Sequence, residues 1–512
     1  MNRRYILGVL GMMVFALGFA CAQNEAPSSE GSPAPQQPVP AYGQETTPSV
    51  PINENPPLSG LDLPSLQEHA APLSYLQPGA TFSESASTNI GNELGGSDFG
   101  SITRGLGTLE LRRLWSHYDL ALDYMGGVAY YNRHDLGWHQ LQSLGIGQKI
   151  EWKRGQLSLR DNFSYLPEGN FGAPYGSLGS VGIAGIGSVP GSFWGGSALG
   201  AVGLASRILN VSLAELSESL SPKSTVTATA GYAFTHFFEE DLNGSSFIGS
   251  SQLSAQAGYN RILSTHTQIA AAYAYQDFNF SIDGTAFHSH VVQGMYGHRI
   301  SGRMDLLLGA GPQITLIDAP SQVCTNPGIS NPIDCLAAGD QIVTQVTRDT
   351  RLGLAAQARL RYRFQKSSVD LRYERFITSG GGLFAGAQTD IVRFGFDRPL
   401  SRVWSLVADL GFSHNDRLRP LTPEQITACL GGPQGSHNAC PANDATRYVT
   451  GFAGAAIHRY FNRQLHGFLG YQFSELSFDH SYCLAGEPCD RTSNRHVITF
   501  GLDWTPRPIR ID

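Results

Sequence analysis

The residues best placed to do chemistry lie in one stretch, Arg351 to Phe376. Arg351, Arg359, Arg361 and Arg363 fall on alternate positions, and after Gln365-Lys366 the charges resume as Asp370, Arg372 and Glu374. Arg393, Asp397 and Asp409 follow in the next segments. Guanidinium groups interleaved with carboxylates can pair across strands into a rigid ladder. They can also set a local field that selects anions, as rings of charged side chains do in pores. Catalysis has less to stand on. The chain holds no G-x-x-x-x-G-K, H-E-x-x-H, C-x-x-C or G-x-S-x-G. His288 and His290 share a strand face, but no third metal ligand is evident beside them. Asp277, His288 and Ser289 can be drawn as a hydrolase trio, as can many triples in a chain of 512 residues. No catalytic residue, metal or cofactor is assigned, and the chain is read as not an enzyme.

The elements that must hold these charges are strands. Between the arginines stand Leu352, Leu354, Ala356, Ala358, Leu360, Tyr362 and Phe364, and Val369, Leu371 and Tyr373 continue the rhythm. Successive side chains of a strand point to opposite faces. The stretch is therefore a β-hairpin with one apolar and one charged face. If Lys366 marks its turn, Arg361 pairs near Asp370 and Arg359 near Arg372. Similar alternation recurs from Thr81 to Trp504 in 18 segments. Their connections alternate short and long. The short ones include Ser116-His117, Arg154-Gly155, Ser264-Thr265 and Gln365–Ser367. The long ones include 90–100, 167–204, 239–246, 318–350, 377–386, 415–445 and 479–494. Cys324/Cys335, Cys429/Cys440 and Cys483/Cys489 all fall in long connections, on one side, and are candidates for local disulfides. The long connection 167–204 is apolar and crowded with glycine. Gly176, Gly187, Trp194 and Gly196 mark it as a candidate constriction that folds into a barrel mouth.

Charge is sparse at 15 %, net charge is −7, and no basic excess points to nucleic acid. Arg3 and Arg4 precede an apolar run from Tyr5 to Phe19 and then Ala20-Cys21-Ala22, a signal peptide over residues 1–22 cut before Gln23. Lipidation of Cys21 is the rival reading. Residues 23–78 hold 12 of the 28 prolines and read as a disordered leader. Leu58, Leu61, Leu63 and Leu66 also allow a short docking segment there.

Alternating segments, alternating turn lengths and same-side cysteines together resemble the porin-like outer-membrane β-barrel proteins of two-membraned (Gram-negative-type) bacteria, with no subfamily indicated. The resemblance implies an all-β fold: one transmembrane antiparallel up-and-down barrel of about 18 strands (16–18), with short periplasmic turns and long extracellular loops. The barrel is expected over 79–506, with a C-terminal tail at 507–512. A tail ending Thr505-Pro506-Arg507 to Asp512 departs from the aromatic terminus common in such barrels. The function implied is a channel in the outer membrane for small hydrophilic solutes, with outer-membrane lipid and the barrel assembly machinery as partners. A non-conducting surface scaffold or adhesin, a barrel enzyme and a soluble all-β protein are the alternatives. Oligomeric state is not legible.

Overall fold

A computed structural model of the chain describes residues 57–59, 74–91, 93–133, 137–166, 206–238, 248–281, 285–325, 338, 341–380, 382–418, 445–479 and 490–511. The strands run β1 (Tyr75–Thr88), β2 (Phe99–Leu114), β3 (Tyr118–Tyr131), β4 (Gly137–Trp152), β5 (Gly155–Leu166) and β6 (Arg207–Ser221). They continue as β7 (Ser224–Phe237), β8 (Ser250–Ser264), β9 (Thr267–Phe280), β10 (Ala286–Ser301), β11 (Met304–Cys324) and β12 (Ile342–Arg363). The series ends with β13 (Ser368–Thr378), β14 (Ala387–Pro399), β15 (Trp404–Arg417), β16 (Arg447–Tyr460), β17 (Leu465–Phe478), β18 (Thr492–Trp504) and the two-residue β19 (Ile509–Arg510).

From β1 to β18, each strand pairs antiparallel with its neighbours in sequence, and β1 pairs with β18 from Ala80 opposite Trp504 to Ser87 opposite Val497. The sheet is therefore a closed 18-stranded antiparallel barrel. Closure leaves no open edge whose N–H and C=O groups would need another partner. β19 extends the seam, with Ile509 opposite Leu76 and Arg510 opposite Tyr75.

Alternation sorts the side chains between the two faces. Outside lie Leu352 and Leu354 of β12, Leu308 and Ile314 of β11, Leu469 and Tyr471 of β17, and Ile498, Phe500 and Leu502 of β18, all exposed. Exposed aromatics ring the short-turn end: Trp115, Tyr118, Trp152, Phe364, Trp404, Phe461 and Trp504. Apolar bands flanked by aromatic girdles are the surface that a lipid bilayer requires of a barrel. Inside lie short polar side chains such as Ser83, Ser85 and Ser87 of β1, Thr227 and Thr229 of β7, and Ser413 of β15, all buried.

Two boundaries differ from the alternation in the sequence. The first strand begins at Tyr75, not Thr81: Tyr75 sits opposite Arg112 of β2 and its hydroxyl donates to Glu110. The hairpin of β11 and β12 runs on through much of the expected 318–350 loop, to Cys324 opposite Ile342. Near the start of this extension Asp318 accepts two bonds from Arg348, at 2.6 and 2.7 Å.

The outward band makes one prediction. Ala358, outward near the middle of β12, changed to Arg should destabilise the barrel in a bilayer by about 2–4 kcal/mol, the cost of a charge at the lipid midplane. Gln357→Arg, one residue away on the inner face, should cost well under about 1 kcal/mol by the same comparison. Urea unfolding from lipid vesicles reads both; equal costs would mean that the outer face does not meet lipid.

Candidate functional site

The expected register of the charged hairpin holds: Arg361 lies opposite Asp370 and Arg359 opposite Arg372. Because the apolar partners face out, the alternate row faces the lumen. Arg351, Arg359, Arg361, Arg363, Asp370, Arg372 and Glu374 all lie on that row, and Arg393, Asp397 and Asp409 extend it onto β14 and β15. Asp370 is the hub. One of its oxygens accepts from Arg359 Nε at 2.8 Å and the other from Arg372 Nε. Arg372 also sits opposite Arg393. Arg299 and Asp305, 3.4 Å apart, add to the row below, with Asp305 opposite Arg361. The Nε atoms of Arg361 and Arg363 are buried with no hydrogen-bond partner among the described residues. A second charged wall was not singled out in the sequence although its alternation is legible there. Glu110 and Arg112 of β2 and Asp119 and Asp123 of β3 face the lumen, with Arg112 bonded to Asp119 at 2.9 Å.

The opposite end of the lumen is crossed by an apolar layer. The connection between β13 and β14 turns inward on glycines with positive φ, Gly380 (76°), Gly382 (82°) and Gly386 (86°). A Cβ on Gly386 would meet the Phe287 ring at 2.0 Å, so no larger residue fits there. The turn drives Leu383 and Phe384, 3 % and 0 % exposed, onto the inward residues Tyr448, Leu476 and Phe478. The Phe384 and Tyr448 rings stand 5.0 Å apart, edge to face. Tyr448 donates its hydroxyl to the Gly380 carbonyl at 3.3 Å. From the other side Ile248 N–H donates to the Gly382 carbonyl at 2.9 Å. Ile248 in turn packs with Phe278, Phe287, Ile317 and Leu418. Leu94, from the β1–β2 connection, joins the Phe384 group. Three connections thus meet over the lumen at the long-loop end.

This layer was not legible as a constriction. The glycine-rich connection expected to constrict, with Gly176, Gly187, Trp194 and Gly196, lies outside the described residues. So do Cys335, Cys429, Cys440, Cys483 and Cys489, while Cys324 ends β11, buried. His288 and His290 face outward, near hydroxyls of Tyr275 (3.2 Å) and Tyr273 (2.8 Å). Ser289 faces the lumen, where Gln313 donates to it at 2.9 Å. Adjacent residues of a strand cannot share a face, so Asp277, His288 and Ser289 do not assemble. No group of three His, Cys, Asp or Glu able to hold a metal occurs among the described residues. Of the leader leucines only Leu58 is described, and it lies inside the barrel.

No protein-family model matches the chain, and no curated protein does. Solved structures similar to it are outer-membrane β-barrel proteins of Gram-negative bacteria. One is the ferric-catecholate import receptor Fiu from Escherichia coli K12, at 10 % identity over 84 % of this chain and 81 % of that one, with a TM-score of 0.41. Another is OccK2 (OpdF) from Pseudomonas aeruginosa in complex with glucuronate, at 11 % identity over 84 % and 98 %, TM-score 0.35. The outer membrane protein OpdK from the same organism matches at 9 % identity over 84 % and 98 %, TM-score 0.35. The likeness is one of fold.

Removing the keystone of the apolar layer should free it without opening the barrel. Phe384→Ala should cost about 3–5 kcal/mol, the usual loss for a buried Phe in a packed core. Amide exchange at Leu383 to Ala385 should then accelerate strongly while the barrel strands stay protected. Unchanged exchange there would show that Phe384 does not hold the layer.

Proposed function

We propose that this chain resides in the outer membrane and that its lumen passes small hydrophilic solutes. The observation that carries this reading is the charged inner wall. The Nε atoms of Arg361 and Arg363 are buried without a hydrogen-bond partner among the described residues, and a charge shut in a dry interior costs several kcal/mol. Water in the lumen removes that cost. A barrel of about 18 strands is wide enough to hold such water. Asp370 accepts from both Arg359 and Arg372, so those residues stiffen the wall. Arg361 and Arg363, beside that hub, are the residues best placed to attract an anion. The signal peptide, the passive mode of passage, the absence of catalysis and local disulfides between Cys324 and Cys335, Cys429 and Cys440, and Cys483 and Cys489 belong to the same proposal.

A second reading rests on the Phe384 layer. A lumen crossed by packed aromatics suits a non-conducting surface scaffold. Conductance across a planar bilayer separates the two: discrete channel steps support the channel, and their absence from correctly folded, heat-modifiable protein supports the scaffold.

If the basic wall sets selectivity, the double variant Arg361→Ser, Arg363→Ser should move the reversal potential in a salt gradient toward cations. Arg359→Ser breaks the Asp370 hub and should act chiefly on stability. An unmoved potential in the double variant would remove these residues from selectivity. Phe384→Ala should raise the single-channel conductance if solute passes the layer.

A further inference from the structure

The chain keeps one of its own segments inside the barrel. Leu58 and Ser59 lie against the inward faces of β7 to β10, in the half of the lumen near the short turns. Ser59 is 1 % exposed. Its N–H donates to Asn260 Oδ1 at 3.0 Å. Its carbonyl accepts from Gln256 Nε2 at 2.8 Å and from the Thr227 hydroxyl at 3.3 Å. Its own hydroxyl accepts from Asn260 Nδ2 at 2.6 Å and stands 2.6 Å from Thr227 Oγ1. Every polar group of the residue is therefore engaged, and the Asn260 amide holds both its backbone and its side chain. Leu58 enters a small apolar recess of Ala270, Ala272 and Met295.

The wall is shaped for this occupant. A Cβ on Gly258 would fall 2.3 Å from Ser59 Oγ, and one on Gly297 would fall 2.8 Å from Leu58 Cδ2. Two glycines on adjoining parts of the wall thus make the room that the two residues fill. Thr227 and Asn260 are buried. Removing Ser59 would strip partners from both at once, and a buried donor or acceptor left unmade costs more than the bond contributes. Space, polar complement and apolar recess coincide at a single dipeptide.

We infer that this stretch of wall is a peptide-binding site, selective for an aliphatic residue followed by a small hydroxylated one, and that its resident ligand is the chain's own leader. Occupied, the site holds leader in the path that a solute takes, and its release widens that path. The gating half of this inference rests on the channel reading above; the binding half does not.

The test uses the full chain. The Ser59 and Thr227 hydroxyls are 2.6 Å apart, so Ser59→Cys with Thr227→Cys brings two sulfurs within reach of a bond of about 2.0 Å. Mild oxidation should link them, read by mass spectrometry of the joined peptides. Ser59→Cys with Thr450→Cys, which reaches for the inner face of β16, should not link. Equal linking in both, or none in the first, overturns the binding site. Adding Leu58→Asp to the first pair should cut linking about tenfold, a loss of about 1.4 kcal/mol; undiminished linking overturns the part assigned to the apolar recess. Single-channel conductance is then compared between the locked and the reduced protein. A higher value after reduction supports gating, and equal non-zero values overturn it. If neither form conducts, the channel reading has failed and the gate with it, while the peptide site stands on the cross-link.

Discussion

Everything in this molecule depends on the pleat. A strand can offer only alternate side chains to each face, and the pairing of β1 with β18 turns those faces into an inside and an outside. Once the leucines and aromatics of β11, β12 and β18 are outside, the charges between them have nowhere else to go. Arg359 and Asp370 are in the lumen because Leu360 and Leu371 are not. A shift of one residue in any register would exchange the two sets completely, so the inner chemistry and the outer surface are a single choice.

That choice explains why the lumen is layered. The short-turn half is lined by ion pairs and amides, which hold one another through Asp370 and Asn260. The long-loop end carries Phe278, Phe287, Tyr448 and Phe478 on the same inward rows. Aromatics facing water would be costly, and they are covered by the β13–β14 connection. Leu383 and Phe384 are thus the apolar complement that the upper wall requires, delivered by a backbone that only Gly380, Gly382 and Gly386 allow.

The barrel and its charged wall were legible in the sequence because alternation is local. The turn at Gln365 to Ser367 fixed the register of Arg361 with Asp370 without any knowledge of the rest. The apolar layer was not legible, because Ser379 to Gly386 is glycine-rich and reads as one long connection among several. Its depth is set by residues remote in sequence, Ile248 and Tyr448. The extension of β11 and β12 escaped notice for another reason: above the apolar band a strand needs only its ladder and pairs such as Asp318 with Arg348. Leu58 stood out faintly as one of a row of leucines, but Ser59, which makes most of the bonds, carries no pattern at all.

The seam between β1 and β18 has a consequence for the order of events in assembly. Most ladders of the barrel join neighbours in sequence and can form as soon as a turn closes. The seam joins Ala80 to Trp504, the longest separation of any strand pairing from β1 to β18, and its entropic cost in an open chain grows with that separation. Once the intervening strands have zipped, the two edges are already held near each other and the cost largely disappears. The seam is therefore the step that the rest of the barrel makes cheap and the one that ends folding. Until it forms, both edges are exposed to any other strand that passes.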